Sequence, residues 1–158
     1  YLGDCWLVSS FAAIAEFPDR LRSLFKQTTL AEDGRYDVRL YDPLAEEWVV
    51  VTIDDRLPFS KRPGRYGNLC FAKPTKENEF WTCLLEKAVA KFVKSYHRLD
   101  GGFECVAMEM LTGKPSLCVA LDTAANGTHR PFTYECGREP FTARHATVRM
   151  RIEAFDAQ

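Results

Sequence analysis

The first part of the chain is almost entirely apolar after a short polar opening, and it predicts a helix from about residue 4 to residue 17. Gly3 favours a tight turn before this helix, and Asp4 is a good N-cap residue. Because apolar residues lie on every side of it, we expect the helix to be packed all round. Pro18 ends it, and a shorter helix follows.

The spacing of apolar residues then changes to every second position, which is typical of strands. Residues 35–41 alternate, with Val38 and Leu40 on the apolar face, and residues 48–53 are β-branched and apolar. The turn-forming residues 42–46 lie between these two segments. The pattern therefore predicts an antiparallel hairpin.

A third helix is the clearest periodic segment of the chain. It follows residues 54–76, which are rich in proline, glycine and charge and predict a surface loop with a short third strand at residues 69–71. Asn78 is a suitable cap for the helix. Its apolar residues recur at helical spacing and predict a stripe facing the core: Phe80, Trp81, Leu84, Leu85, Ala88, Val89, Phe92, Val93 and Tyr96. Gly101 and Gly102 break the pattern, and a further short helix at residues 103–111 is predicted.

Composition and charge narrow the class of protein. The chain has 158 residues and a net charge of −1, with lysine and arginine scattered along it. This length suits one domain with a substantial core. No basic cluster points to nucleic acid, and no apolar run is long enough to span a membrane. We therefore expect neither a nucleic-acid partner nor a membrane span.

Six cysteines raise the question of disulfides or a metal site. They contain no Cys-x-x-Cys pair, and the three histidines are not at zinc-finger spacing. We expect free and mostly buried thiols in a reducing compartment, with a disulfide framework as the alternative.

One cysteine is placed where a nucleophile would be. Cys5 follows Gly3 and Asp4 at the predicted start of the first helix. A helix N-terminus carries positive partial charge and free backbone N–H groups, so a cysteine there is biased toward the reactive thiolate. The same N–H groups can stabilise an oxyanion. The alternative interpretation of Cys5 is a buried structural cysteine at a helix start.

The run around Cys5 also resembles a known family. Gly3-Asp4-Cys5-Trp6-Leu7 is similar to the nucleophile motif of calpains, the papain-like cysteine proteases of the cytosol. Residues 47–58 (EWVVVTIDDRLP) and residues 79–91 (EFWTCLLEKAVAK) resemble two further calpain runs in the same order. Ser95-Tyr96, Gly101-Gly102 and Leu111-Thr112-Gly113 fall where the family has similar residues. The resemblance covers residues 1–114.

The resemblance implies an α+β papain-like protease core, with a helical subdomain, a buried nucleophile helix and a small antiparallel sheet. In such a core one part carries the cysteine, and a second part brings a histidine and an asparagine across the cleft. The resemblance further implies Cys5 as nucleophile with its backbone N–H in the oxyanion hole, calcium as a regulator, and a cytoplasmic location. The expected partners are protein substrates, the remainder of the protease core and regulatory domains.

Other expected site residues are less well defined by the sequence. The family's Gly-His-Ala-Tyr and Asn-Pro-Trp-Gly strings are absent, and His145 is the candidate for the histidine. By resemblance, Glu79 matches a calcium ligand, with an acid favoured by the helix dipole as the alternative. We expect residues 1–114 to form the subdomain that carries the nucleophile and residues 115–158 to be a divergent or truncated segment.

The sequence therefore predicts a fragment of a calpain-like cysteine endopeptidase that hydrolyses peptide bonds in intracellular proteins through a cysteine thiolate. We expect the isolated chain to be inactive, because the histidine and asparagine are not matched. Two alternatives stay open. One is a catalytically incomplete calpain-like module with a regulatory or adaptor role, and the other is a transglutaminase-like acyl transferase, which also has Cys-Trp at a helix start.

Overall fold

The computed structural model describes residues 2–64, 67–74, 79–123, 129–135 and 149–151, with side chains for 2–61, 69–74 and 79–116. The described helices are α1 (Cys5–Ala15), α2 (Pro18–Ser23), α3 (Trp81–Phe92) and α4 (Glu104–Thr112), with a 3₁₀ turn at Tyr96–Leu99. The described strands form antiparallel sheets: β1 (Arg35–Asp42) pairs with β2 (Glu47–Asp54), β3 (Phe59–Gly64) pairs with β4 (Gly67–Leu69), and β5 (Leu117–Thr123), β6 (His129–Glu135) and β7 (Arg149–Arg151) lie side by side in that order. The architecture is α+β.

The predicted hairpin is confirmed. Strands β1 and β2 pair in antiparallel register, with Val38 opposite Val51 and Tyr36 opposite Ile53. These four residues are buried, whereas Val50 on the other face is exposed. The alternation in the sequence therefore identifies the face of the hairpin that packs against the helices.

Helix α1 is confirmed, but the expectation that it is packed all round is wrong. Its buried face consists of Trp6, Leu7, Ser10, Phe11 and Ile14. The other face is exposed. Because apolar residues occur on every side of this helix, its sequence does not show which side other elements leave uncovered.

The core joins the helices to one face of the hairpin. Buried residues from α1, α3, α4 and both strands form one cluster, which includes Leu7, Phe11, Ile14, Val38, Leu40, Leu85, Val89, Leu99 and Met110. The predicted stripe of α3 supplies several of these residues, so its assignment to the core is confirmed except at Phe80, which is 46% exposed.

Helix α3 is shorter than predicted. It ends at Phe92, and Lys94 has a positive φ of 80°, so Tyr96 belongs to the following 3₁₀ turn. The predicted cap Asn78 lies outside the described residues. The predicted end of α4 is confirmed, since Gly113 is left-handed and its N–H donates to Glu109 O.

The loop after the hairpin differs from the prediction. Residues 59–64 and 67–69 form the β3–β4 ladder, where only a short third strand at 69–71 is expected from the sequence. The ladder forms through backbone hydrogen bonds between residues whose sequence has no periodic pattern, and so periodicity does not predict it. Lys87 of α3 binds the preceding loop, because its amino group contacts the Asp54 carboxylate and donates to Arg56 O at 2.5 Å.

The expectation of free thiols is correct for part of the set. Cys5, Cys70 and Cys83 are free, but Cys105 is disulfide-bonded. Pairing between cysteines far apart in sequence depends on tertiary contacts, which a search for Cys-x-x-Cys spacing does not detect.

Strands β5, β6 and β7 lie in the segment where the sequence predicts no elements. Cys118 pairs with Tyr134 in the β5–β6 register, and Tyr134 also pairs with Met150 of β7. Among the described helices, none has the length and apolar character needed to cross a membrane.

Candidate active site

The turn before Cys5 is fixed by two hydrogen bonds, one to a side chain and one between main-chain groups. Gly3 N–H donates to Asp100 Oδ1 at 2.8 Å, and Gly101 N–H donates to Gly3 O at 2.8 Å. A Cβ at Gly3 would lie 2.7 Å from Asp100 Oδ1, so any larger residue would have to displace the Asp100 carboxylate that accepts from this N–H. The turn that carries Cys5 is therefore bound directly to the segment after the 3₁₀ turn.

Cys5 is exposed at the first position of α1, and its thiol is free. Asp4 O accepts from the N–H groups of Leu7 and Val8 at 2.9 and 3.1 Å, which begins the helix directly before the cysteine. The first N–H groups of a helix have no acceptor within the helix. Cys5 thus combines an accessible sulfur with helix N–H groups that can stabilise a developing oxyanion.

Trp6 links the nucleophile to the glycine pair. Its ring is buried, and its Nε1–H donates to Leu99 O at 2.9 Å. A Cβ at Gly102 would lie 2.4 Å from the indole, so only glycine allows this backbone to cover the ring. The pair Gly101-Gly102 therefore borders the surface beside Cys5.

Behind this surface lies a buried pair of acids. Asp4 is 9% exposed and Glu86 of α3 is 2% exposed. The Ala72 N–H donates to both carboxyl oxygens of Glu86, at 3.0 and 3.2 Å, and Cys83 Sγ donates to Ala72 O at 3.2 Å. The predicted side-chain cap from Asp4 is wrong, because the structure gives α1 no side-chain cap bond. The Asp4 carboxyl points into the interior instead.

Burial shifts the pKa values of the ionisable side chains in this interior. It raises the pKa of Glu86 from 4.5 to about 9, and the adjacent Asp4 carboxyl acts in the same direction, whereas the Ala72 N–H opposes it. Burial also raises the pKa of Cys83 and of Tyr96, and the nearby Glu86 adds to both effects. The acid side chain of Glu86 is therefore neutral at neutral pH.

The exposed face of α1 continues away from Cys5. It carries Val8, which is 38% exposed, together with Ser9, Ala12 and Ala13. Most of these residues are apolar and small. This surface has the composition of a packed interface and is open to solvent.

The other expected site residues have different outcomes. His145 lies outside the described residues, so its distance to Cys5 is not defined. Glu79 lies two residues before α3 and is partly exposed. Within the described part of the chain, no group of three or more His, Cys, Asp or Glu side chains could hold a metal ion. Glu79 alone does not make a calcium site, since calcium takes six to eight oxygens.

Sequence reasoning missed two residues that support the site. Asp100 follows the 3₁₀ turn, and its role depends on a hydrogen bond to Gly3 across 97 positions. Glu86 lies outside the apolar stripe that the sequence predicts for α3, and its place between Leu85 and Lys87 has the pattern of a solvated position, although the side chain is buried. The sequence therefore offers no local signal of this burial.

Comparison with known proteins identifies the relationship. A family model described as calpain family cysteine protease matches residues 1–137. The chain is 39% identical to a calpain of Schistosoma mansoni over 132 residues, which are 82% of this chain and 16% of that protein. It is 39% identical to Calpain-A of Drosophila melanogaster over 115 residues, 71% of this chain and 13% of that protein.

A third relative is Calpain-9 of Mus musculus, which is 38% identical over 113 residues, 71% of this chain and 16% of that protein. The chain thus spans less than a fifth of the length of these curated relatives. The family model covers most of the chain, and it includes the nucleophile turn, the hairpin and α3. The chain belongs to the calpain family of cysteine proteases.

Proposed function

We propose that this chain forms the part of a cysteine endopeptidase core that carries the nucleophile, with Cys5 as the attacking residue and proteins as substrates. The observation that carries the proposal is the placement of a free, exposed thiol at the first turn of α1, beside Trp6 and the glycine pair. Family membership makes peptide hydrolysis the expected reaction.

The chemistry follows from this placement. The Cys5 thiolate attacks the carbonyl carbon of a peptide bond, and the oxyanion that forms accepts hydrogen bonds from N–H groups at the start of α1. An imidazolium then protonates the leaving amine as the C–N bond breaks. Water hydrolyses the thioester and restores the thiol.

The imidazole belongs to the opposite wall of the cleft in this proposal. The exposed apolar face of α1 supports a second part of the core that packs beside Cys5 and brings the histidine to it. His145 is the candidate within this chain. The proposal also includes regulatory domains as further partners and the cytoplasm as the location. The free thiols of Cys5, Cys70 and Cys83 are typical of a reducing compartment, whereas the Cys105 disulfide is not.

Labelling of Cys5 is the direct test. We expect a peptidyl epoxide to alkylate Cys5 much faster than Cys70 or Cys83, as measured by mass spectrometry of tryptic peptides. Cys83 is a matched control because its thiol is buried and its pKa is raised. Equal labelling of Cys5 and the two other thiols would contradict a nucleophile and favour a non-catalytic module.

Peptide hydrolysis gives the second test. In the assembled protease we expect Cys5→Ala to reduce turnover of a fluorogenic peptide by roughly three orders of magnitude or more. The 158-residue chain alone should show little turnover, because it lacks a matched histidine and asparagine. If the chain alone does show turnover and His145→Ala abolishes that turnover, the catalytic histidine lies within this chain.

The role of Glu79 in calcium binding is a separate part of the proposal. Calorimetric titration of calcium into the protein and into its Glu79→Gln variant tests it. We expect weaker binding in the variant, because one carboxylate ligand is lost. The same calcium affinity in both proteins would remove Glu79 from the ligand set.

A further inference from the structure

We infer that Asp4 and Glu86 share one proton, and that this shared proton holds the turn carrying Cys5 against helix α3. The two acids come from segments far apart in the sequence. They meet in the interior directly behind the nucleophile. Neither carboxyl contacts the reacting atoms, so both are positioning residues.

The first argument is an unsatisfied oxygen. Asp4 Oδ2 is fully buried and has no hydrogen-bond donor in the structure, the one such side-chain atom in the part of the chain with described side chains. A buried carboxylate oxygen without a donor is strongly unfavourable. The neighbouring acid on which the Asp4 carboxyl acts is Glu86, whose pKa it raises. A proton on Glu86 provides an O–H donor and satisfies Asp4.

The second argument is the charge balance of the interior. Among the residues with described side chains, the ionisable groups that act on Glu86 or are acted on by it are Asp4 before α1, Cys83 on α3 and Tyr96 in the 3₁₀ turn. None of these groups carries a positive charge. Two ionised carboxylates in contact would repel each other there, whereas one proton leaves a single shared negative charge.

The link to the nucleophile runs through the backbone of Asp4. Its carbonyl accepts the first two hydrogen bonds of α1, and Cys5 is the next residue. Glu86 also accepts from Ala72, so the protonated acid connects α1, α3 and the segment around residue 72. Loss of the proton places a second negative charge beside Asp4 and separates these three elements.

The direction of the pH effect on stability follows from which state, folded or unfolded, holds the proton on Glu86. Glu86 has a folded-state pKa of about 9, above its ordinary value of 4.5, so between these values the folded chain holds a proton that the unfolded chain has released. The stabilisation by the neutral acid is therefore complete below about pH 4.5 and decreases as pH rises toward 9.

Infrared spectroscopy and denaturant unfolding test the shared proton. At pH 7 we expect the C=O band of a protonated carboxyl in the native protein and its loss in Glu86→Gln. Glutamine donates to Asp4 and accepts from Ala72, as the protonated acid does. Between pH 5 and 9 the unfolding equilibrium constant of the native protein should rise about tenfold per pH unit relative to Glu86→Gln.

Glu16→Gln, which removes an exposed acid just after α1, is the matched control and should keep the native pH dependence. Absence of the protonated carboxyl band at pH 7, or an unchanged pH dependence in Glu86→Gln, would overturn the inference. The infrared measurement on the native protein decides the matter even if the variant fails to fold.

The positioning of Cys5 rests on the proposed function, and a separate measurement tests it. The ratio of the epoxide labelling rate of Cys5 in Glu86→Gln to that in the native protein should increase from pH 7 to 9, because only the native turn loses its proton. If the ratio is constant but the carboxyl band is observed, the shared proton is supported and its effect on Cys5 is refuted. Slow labelling in both proteins at every pH would refute the proposed nucleophile instead.

Discussion

At the scale of single residues, the site depends on close approaches that only particular side chains permit. Gly3 allows the Asp100 carboxylate to reach its N–H, and Gly102 allows the backbone to cover the Trp6 ring. Both glycines are beside the nucleophile turn. Their role is steric, since a Cβ at either position would overlap a neighbouring atom.

We expect Gly102→Ala to lower the free energy of unfolding by about 1–3 kcal/mol, because the added Cβ would overlap the indole of Trp6. Near-ultraviolet circular dichroism should report the displaced ring. Gly101→Ala is the control, since no atom lies within 4 Å of its Cβ position although its φ is +82°. That variant should lose about 1–2 kcal/mol from backbone strain and keep the Trp6 signal. An unchanged Trp6 signal in both variants would contradict the packing.

The sequence predicts much of the residue-scale picture. The position of Cys5 at the start of α1 follows from the turn at Gly3 and from the apolar run that begins directly after the cysteine. The burial of Asp4 does not follow, since its sequence context is that of an N-cap, and only the arrival of Glu86 from α3 gives the side chain a different environment. Interactions between distant residues have no local signature.

At the scale of elements, α1 has two faces with different roles. The inward face joins the core through Leu7 and Phe11, and the outward face presents Val8 and Ala12 beside Cys5. The sequence predicts the helix correctly but not this division, because both faces have apolar residues. The hairpin is predicted better, since its two faces differ in polarity.

Neighbouring residues of α1 provide a matched comparison. Leu7 is 0% exposed and Val8 is 38% exposed, so Leu7→Ala should cost about 2–5 kcal/mol of unfolding free energy and Val8→Ala less than about 1 kcal/mol. Urea titration followed by circular dichroism measures both. Equal losses would mean that the outward face is covered.

The outward face should matter for catalysis rather than for stability. We expect Ala12→Glu to change the unfolding free energy by no more than about 0.5 kcal/mol, since the position is exposed. The same variant should lower peptide turnover in the assembled protease, because a charge would disturb packing of the second part of the core beside Cys5. Full turnover in this variant would argue against an interface on this face.

At the scale of the whole molecule, one core connects the described helices to the hairpin. Buried residues of α1, α3, α4, β1 and β2 belong to a single cluster. Trp6 of α1 belongs to this cluster and Trp81 at the start of α3 packs against it, whereas Trp48 of β2 is 40% exposed and reports the hairpin from outside the cluster. The nucleophile turn is therefore coupled to the hairpin through shared packing.

We expect this coupling to give one cooperative unfolding transition for the helices and the hairpin. Tryptophan fluorescence and far-ultraviolet circular dichroism should give the same urea midpoint, because removal of any element exposes the common cluster. Single-tryptophan variants that retain Trp6 or Trp48 should also agree. A midpoint for Trp48 well below that for Trp6 would show that the hairpin unfolds separately.

The whole-molecule picture is the part least accessible to sequence reasoning. The order of helices and the hairpin follows from periodicity, whereas β5, β6 and β7 lie in a segment without a clear pattern. The Cys105 disulfide is equally invisible, because it depends on which parts of the chain meet. Local patterns determine elements, and tertiary contacts determine how they combine.

The open face of α1 also has a practical consequence for handling the protein. Val8, Ala12 and Ala13 form a small apolar surface beside a free thiol, so concentrated preparations of the chain alone should self-associate through this face and cross-link slowly in air. If the proposed second part of the core covers this face, its co-expression, together with a reducing buffer, should improve the yield of monodisperse material.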